Sequence, residues 1–399
     1  MAGRKVLVLG AGVYQIPLID RAQREGHHVI AASYRDTDPG LALADEAWVV
    51  DTTAKEELLK RSKEAGVEAV TTTGTDVAVP TLGFICDAMG LKGVPYDTAL
   101  ACSDKALMKE KFKAGAVPMA AGASFTDANS AKQFAQTMAA AYMIKAADSS
   151  GSRGVYAMNS LDGFEDKFAQ AQDVSRSGDV LIEKRLFGEE FGAQLVVAHG
   201  QVQQAFFHND TVTPPPISVP MGHSCPCRLS SDILKQAHQV CQQAVTALGI
   251  ADAVCNVDLM ACEEGVFIFE IGARGGATGL PEVVRDYSGV DLYKAALDLA
   301  LGQPVSCEFT QKTPSAMLLL TSQKSGVLKS VEVPESLKAD ARTTLLRIDV
   351  QPGDDVPAFV TGPDRLGDVF VVAESLEQAE QCAAEFAQSV QFNLVPHDA

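Results

Sequence analysis

The chain has 399 residues, enough at roughly 150 per domain for two or three full cores. Apolar residues make up 47% and charged residues 21%, which excludes disorder as the main state. Lys and Arg number 33 against 51 Asp and Glu, so the net charge is -18 and its field repels phosphate backbones and anionic bilayers, excluding nucleic acid and membrane surfaces as partners.

No uncharged apolar run approaches the roughly 20 residues that span a bilayer. The early stretch Val6 to Val13 is short and ends in Tyr14-Gln15-Ile16-Pro17, which makes it a strand rather than a signal peptide. The nine cysteines follow no regular framework and fit reduced thiols of a cytoplasmic protein.

From Lys5 a buried strand breaks into a glycine turn, followed by a helix from Ile16 to Gly26 and a strand from His28 to Ser33. A short strand at Trp48 to Val50, a helix Lys55 to Ala65, a strand Ala69 to Thr73 and a helix Val79 to Met89 continue the alternation. The first hundred residues are therefore expected to form a doubly wound parallel sheet. A helix from Asp104 to Gly115, capped by Ser103, opens a second pattern. Strands Tyr142 to Ala146 and Val180 to Lys184 flank the loop Ser149 to Gly154 and a helix near Leu161 to Gln172, giving a small α+β unit. Strands near Phe191 to Ala198 and Gln201 to Phe207 follow, then a Pro-rich loop at Pro214 to Pro216 and a helix Ser231 to Leu248. A hairpin from Val254 to Ile271 precedes a helix Asp291 to Ala300, and a strand-rich tail closes with a helix Leu376 to Gln388.

Gly10 and Gly12 match the first two glycines of a dinucleotide turn, but Gln15 takes the third place. Ser33-Tyr34-Arg35 stands where an acidic residue would bind a ribose hydroxyl. The turn reads as a tight strand-to-helix connection rather than an NAD site, with room for a small anion near Gly12. Thr73-Gly74-Thr75-Asp76 ends a strand at the same carboxyl edge, where a substrate can sit, so Thr75 and Asp76 are candidate contacts.

Within the hairpin, a three-residue loop Glu263-Glu264-Gly265 with Gly265 left-handed centres the pairing on Glu264 and places Asp258 opposite Glu270. Two facing carboxylates repel one another. Either Mg²⁺ lies between them or both point into screening solvent. Lys145 with Ser149-Ser150-Gly151-Ser152-Arg153-Gly154 is either a phosphate cradle or a flexible turn. Lys105 by itself is an ordinary helix lysine, and Glu183 to Glu190 either offers carboxylates to adenine and ribose or is a charged edge strand. His223-Ser-Cys225-Pro-Cys227 lacks structural-zinc spacing, which leaves His208 and His223 as substrate contacts or plain loop residues between strands.

In order and spacing, these signals over residues 1 to 305 resemble the ATP-grasp superfamily. The resemblance implies an α/β and α+β chain in four parts: a pre-ATP-grasp sheet domain at 1–103, a lid subdomain at 104–186, a large subdomain at 187–305 and a C-terminal α+β domain at 306–399. Ser-Asp-Lys-Ala-Leu-Met-Lys matches the motif whose lysine, here Lys105, binds phosphate, and Tyr-Met-Ile-Lys-Ala matches the second nucleotide lysine, Lys145. Ser150, Gly151, Ser152 and Gly154 fall on the lid over the phosphates. Glu183, Lys184 and Leu186 fall on the segment that holds adenine, and Glu190 on the ribose carboxylate. Asp258 and Glu270 fall on the metal positions, and Arg274 on an arginine that contacts phosphate or a substrate carboxylate.

The similarity is greatest to stand-alone ligases related to carbamoyl-phosphate synthetase, biotin carboxylase and L-amino acid ligases. It implies an ADP-forming carboxylate–amine ligase using ATP and Mg²⁺, with Mn²⁺ able to substitute, in a cytoplasmic homodimer acting on small molecules. A purine-pathway or bicarbonate-activating enzyme is the alternative, and a non-catalytic nucleotide-binding protein is the alternative of another class. One departure stands out: many members have Glu-x-Asn at the second ligand strand, whereas here Glu270-Ile271-Gly272 lacks a side-chain ligand at the third place.

Overall fold

The computed structural model describes residues 3–138, 141–149, 153–213 and 219–396. They form two compact units, one of residues 1–205, 229–275 and 293–306, the other of 206–228, 276–292 and 307–399.

The first unit opens with β1 (Lys5–Leu9), α1 (Ile16–Arg24), β2 (His28–Ser33), α2 (Pro39–Leu43), β3 (Glu46–Val49), α3 (Lys55–Ala65), β4 (Ala69–Thr71) and α4 (Val79–Met89). The strands lie in the order β3-β2-β1-β4, all parallel. Val6 and Val8 of β1 pack with Leu18, Ile19 and Ala22 of α1, so the apolar face of the first helix covers the centre of the sheet. Strand order reverses between β1 and β4, the place where open sheets bind ligands at their carboxyl ends. The turns after these two strands, Gly10–Gly12 and Thr73–Asp76, lie there. β4 is two residues shorter than its pattern suggests, because Thr73 leaves the ladder and bridges to Gly275 instead.

Next come α5 (Tyr96–Ala101), α6 (Lys105–Ala114), β5 (Gly122–Phe125), α7 (Ala128–Thr137), β6 (Tyr142–Ala146), β7 (Val155–Met158), α8 (Phe164–Val174) and β8 (Val180–Lys184). The cap of α6 is Asp104, not Ser103. The Asp104 carboxylate accepts from the backbone N–H groups of Ala106 and Leu107, while the Ser103 hydroxyl turns back to the carbonyl of Ala99. β6 lies between β8 and β7 in an antiparallel sheet of order β5-β8-β6-β7. Tyr142 and Ile144 alternate into a core with Phe164 and Phe168 of α8, which turns Met143 and Lys145 to the other face.

The chain continues through β9 (Glu189–Ala198), β10 (Gln201–Val212), β11 (Pro220–Cys225), α9 (Ser231–Leu248), β12 (Ala253–Cys262), β13 (Gly265–Gly272), α10 (Leu280–Ser288) and α11 (Leu292–Ala300). In the first unit β12 pairs antiparallel with both β9 and β13. The β12–β13 turn differs from the sequence expectation: Cys262 pairs with Gly265, so the loop has two residues and Gly265 starts β13. A bulge between Asp258 and Leu259 skips Phe269 and restores the register, so that Asp258 still pairs with Glu270.

The second unit adds β14 (Ser315–Leu320), β15 (Gly326–Glu332), α12 (Glu335–Lys338), β16 (Thr343–Ile348), β17 (Asp355–Val356), β18 (Gly367–Val372), α13 (Leu376–Ser389) and β19 (Gln391–Val395). Its antiparallel strands run β11-β14-β18-β16. Alternation splits β14 between two cores: Ala316 and Leu320 face Ala379 and Ala383 of α13, and Met317 and Leu319 face Val283 of α10. His208 and His223 are strand residues of β10 and β11, not loop residues. Asp210 pairs with His223, and β10 runs five residues past Phe207, to Val212.

Candidate active site

α6 brings Lys105 and Lys109 to one face, since residues four apart stack on a helix. Lys105 Nζ donates to the carbonyl of Ser149 at 2.8 Å and lies 2.9 Å from Glu270 Oε2, joining the loop after β6 to the hairpin. Burial works to lower the Lys105 ammonium, but the carboxylates of Glu270, Asp76 and Asp258 raise it above its ordinary range. Arg274 is raised in the same way against burial, by Asp76, Asp258 and Glu270. Both cations therefore sense one concentrated negative field.

Glu183, only 2% exposed, is held between Lys109 Nζ at 2.7 Å and Lys145 Nζ. Burial works to raise its carboxyl, yet the two lysines hold it below the ordinary carboxylate range. Lys145 also stands over the ring of Phe269, 5.1 Å from its centroid, so the bulged residue that sets the register is the one under this lysine. Lys109 ends the Ser-Asp-Lys-Ala-Leu-Met-Lys stretch, one helical turn from Lys105, a spacing that signals a shared face although the motif gives Lys109 no role. For Phe269 the sequence carries no signal, because the bulge is not encoded in the alternation.

On β12, Asn256 donates from its side chain to Asp258 Oδ1 at 3.2 Å and accepts from Gln194 Nε2 at 2.6 Å, fixing the amide and orienting the carboxylate. Alternation made Asn256 a same-face neighbour of Asp258, a signal that was legible but unused. Asp258 and Glu270 share a face because they pair directly across the strands. Two carboxylates suit Mg²⁺, which binds through one or two carboxylates together with waters and substrate phosphates, and the field raising Lys105 and Arg274 also favours a cation. At the third place, a Cβ on Gly272 would meet Asp76 Oδ1 at 2.8 Å, so Asp76 occupies the space that a side chain would need.

Asp76 Oδ2 accepts from Arg274 Nη2 at 2.7 Å, and Arg274 Nη1 donates to the carbonyl of Gly275 at 3.2 Å. The backbone N–H of Gly74 donates to the same carbonyl at 3.0 Å. Asp76 Oδ1 and Arg274 Nε are buried without partners among the described residues, an acceptor and a donor side by side. Thr75 lies in the same turn. Gln15 fills the space beside Gly10 and Gly12 and donates to the carbonyl of Thr73 at 2.5 Å, filling the glycine turn with a side chain.

The remaining candidates lie farther out. Gly154 has a left-handed φ of 69°, and its carbonyl accepts from Ala146 N–H at 2.9 Å, closing the loop after β6. Ser150, Gly151 and Ser152 lie outside the described residues. Lys184 is exposed and 3.9 Å from Glu264, Leu186 sits between β8 and β9, and Glu190 pairs in register with Met260. His208 and His223 belong to the second unit.

Comparison with known proteins adds three findings. A family model described as phosphoribosylglycinamide synthetase, ATP-grasp (A) domain, matches residues 103–278, and one described as L-amino acid ligase C-terminal domain 2 matches 318–395. The crystal structure of phosphoribosylglycinamide synthetase from Anaerococcus prevotii is 26% identical, covers 98% of this chain and all of its own, and superposes with a TM-score of 0.84. Among curated relatives, the L-arginine-specific L-amino acid ligase of Bacillus subtilis is 21% identical over 268 residues, 65% of either chain. The formate-dependent phosphoribosylglycinamide formyltransferase of Parasynechococcus marenigrum is 24% identical over 395 residues, 96% of this chain and 97% of its own.

Proposed function

The chain belongs to the ATP-grasp superfamily of ADP-forming ligases, and on that premise we propose that it joins an amino acid carboxylate to an amine through an acyl phosphate. The observation that carries this reading is the convergence of Lys105, Glu270, Asp258 and the Asp76–Arg274 pair within one unit. A carboxylate oxygen of the substrate attacks the γ-phosphorus of ATP, the bond to the β–γ bridging oxygen breaks, and ADP leaves. The amine nitrogen then attacks the acyl carbon, losing a proton, and inorganic phosphate departs with the former carboxylate oxygen.

Lys105 and Lys145 place positive charge on the transferring phosphoryl group. Arg274 Nε, a buried donor without a partner among the described residues, binds the substrate carboxylate and steadies the adduct. Asp76 Oδ1 accepts from the substrate's amino group. Asp258 and Glu270 would hold Mg²⁺, or Mn²⁺ in its place, which supplies charge neutralisation when bound. The segment from Glu183 to Glu190, with Lys184 and Leu186, receives the adenosine, and Ser150, Gly151, Ser152 and Gly154 cover the phosphates. The four-part division at residues 103, 186 and 305 and a cytoplasmic homodimer complete the reading. No helix among the described residues is long and apolar enough to cross a membrane.

The decisive assay is ADP and phosphate release over a matrix of amino acid pairs. Turnover with one pair and none with the single amino acids is expected. AMP and pyrophosphate as stoichiometric products would reject the reading. The synthetase description over residues 103–278 favours a second reading, a purine-pathway or bicarbonate-activating enzyme. Turnover with bicarbonate or a ribosylamine phosphate, and none with amino acids, would select it.

A further inference from the structure

The second unit holds a side-chain cluster that the ligase chemistry does not use. His208 and Asp210 are two residues apart on β10 and share a face, and His223 on β11 is the register partner of Asp210. The ladder alone therefore brings the three side chains together. Both imidazoles turn their Nδ1 atoms to one oxygen of Asp210, His208 at 2.9 Å and His223 at 2.6 Å. The rings stand 5.4 Å apart at 83°. His208 is 1% exposed and His223 5%. His208 Nε2 is buried with no hydrogen-bond partner among the described residues, an arrangement that costs on the order of 1–3 kcal/mol when nothing compensates it.

The opposite face of the hairpin is braced. The Asn209 side chain donates to the Pro226 carbonyl at 2.9 Å and to Ser224 Oγ at 3.1 Å, and its oxygen accepts from the Arg228 backbone. Ser224 and Arg228 both bond Glu380 of α13. Donor residues carried on strands that are locked from behind are what a preorganised ligand set requires.

We propose that His208, Asp210 and His223 form a binding site for a borderline divalent cation of the zinc class, which ties β10 to β11. One donor atom from each residue lies within 4.8 Å of the others. Closing on a tetrahedral ion with bonds near 2.0 Å needs donor separations of about 3.3 Å, so the imidazole–carboxylate distances of 2.9 and 2.6 Å would open by less than about 1 Å. Two imidazole nitrogens and one carboxylate select Zn²⁺ or Co²⁺ over Mg²⁺ and Ca²⁺, which prefer oxygen. Three protein ligands leave a fourth position for water or another small ligand.

The test uses the full chain, stripped with a chelator and free of nucleotide. Titration with Co²⁺ alone should give one equivalent with visible d–d absorption at micromolar concentration, displaced by Zn²⁺ and not by millimolar Mg²⁺. His223→Gln and Asp210→Asn should each weaken Co²⁺ binding by roughly tenfold or more, whereas Asp258→Asn, in the other unit, should bind it unchanged. Absence of saturable Co²⁺ binding leaves a hydrogen-bonded triad only and overturns the proposal. Loss in Asp258→Asn with retention in the histidine variant overturns it as well. Should the variants fail to fold, X-ray absorption on the zinc-loaded wild type decides: imidazole scattering from two histidines supports the site, and an all-oxygen shell refutes it.

Discussion

Lys105 and Glu270 form an ion pair at 2.9 Å that connects the first turn of α6 to the strand carrying a proposed metal ligand. The same ammonium bonds the carbonyl of Ser149, at the start of the segment proposed to cover the phosphates. One side chain thus touches both that segment and the strand of the proposed metal ligand. A nucleotide entering with Mg²⁺ would take over the Glu270 carboxylate and free the lysine for phosphate oxygens.

Lys105→Met keeps the stem and removes the charge. ATP affinity should fall at least about tenfold, equivalent to about 1.4 kcal/mol, while the variant stays folded by circular dichroism. Calorimetric titration with unchanged affinity would remove Lys105 from the nucleotide site.

Asp258→Asn and Glu270→Gln should each reduce turnover by at least about a hundredfold, but their stabilities should differ. Asp258 faces a second carboxylate, so its neutralisation should leave the melting temperature without Mg²⁺ equal or higher. Glu270 partners Lys105, and its loss should cost about 1–3 kcal/mol. Paired thermal melts with and without MgATP separate the two cases. Near wild-type turnover in both variants would put these carboxylates on a solvated face.

The buried Glu183 between Lys109 and Lys145 predicts a pH signature. Its folded pKa lies below the unfolded value, so its contribution to stability is complete above the unfolded pKa of about 4.3 and is lost as pH falls through the lowered folded value. Glu183→Gln should therefore destabilise by about 3 kcal/mol or more at pH 7. The gap to wild type should narrow below about pH 4. A gap that stays constant from pH 7 to 3.5 would contradict the ion-pair account.

ATP with Mg²⁺ should raise the melting temperature, with about 2.7 kcal/mol of stabilisation at a hundredfold excess over Kd. NAD should produce no shift, because the Gln15 side chain fills the glycine turn. Equal shifts from the two nucleotides would remove this distinction.

Legibility followed physical locality. α3 and α9 begin and end where their patterns and caps place them, since a glycine stop and a serine cap act within one turn. The pairing of Asp258 with Glu270 was also legible, although by compensation: the turn is one residue shorter than expected and the bulge at Phe269 makes up the difference. The strand positions of His208 and His223 were not legible locally, because β11 takes its place from pairing with β10 on one side and with the distant β14 on the other; the Pro-rich stretch at 214–216 lies outside the described residues. The approach of Asp76 to Gly272 and Arg274 joins segments nearly two hundred residues apart, and no local pattern encodes it.

The bulge at Phe269 also separates two properties of the hairpin. Leu259 pairs with Ile268 and Asp258 with Glu270, so Phe269 is the one extra residue that β13 carries at this point against β12. A chain shortened by Phe269 alone would join Ile268 directly to Glu270 with both partners unchanged, keeping the two carboxylates opposite one another while removing the ring beneath Lys145. The bulge therefore serves the lysine rather than the carboxylate pair.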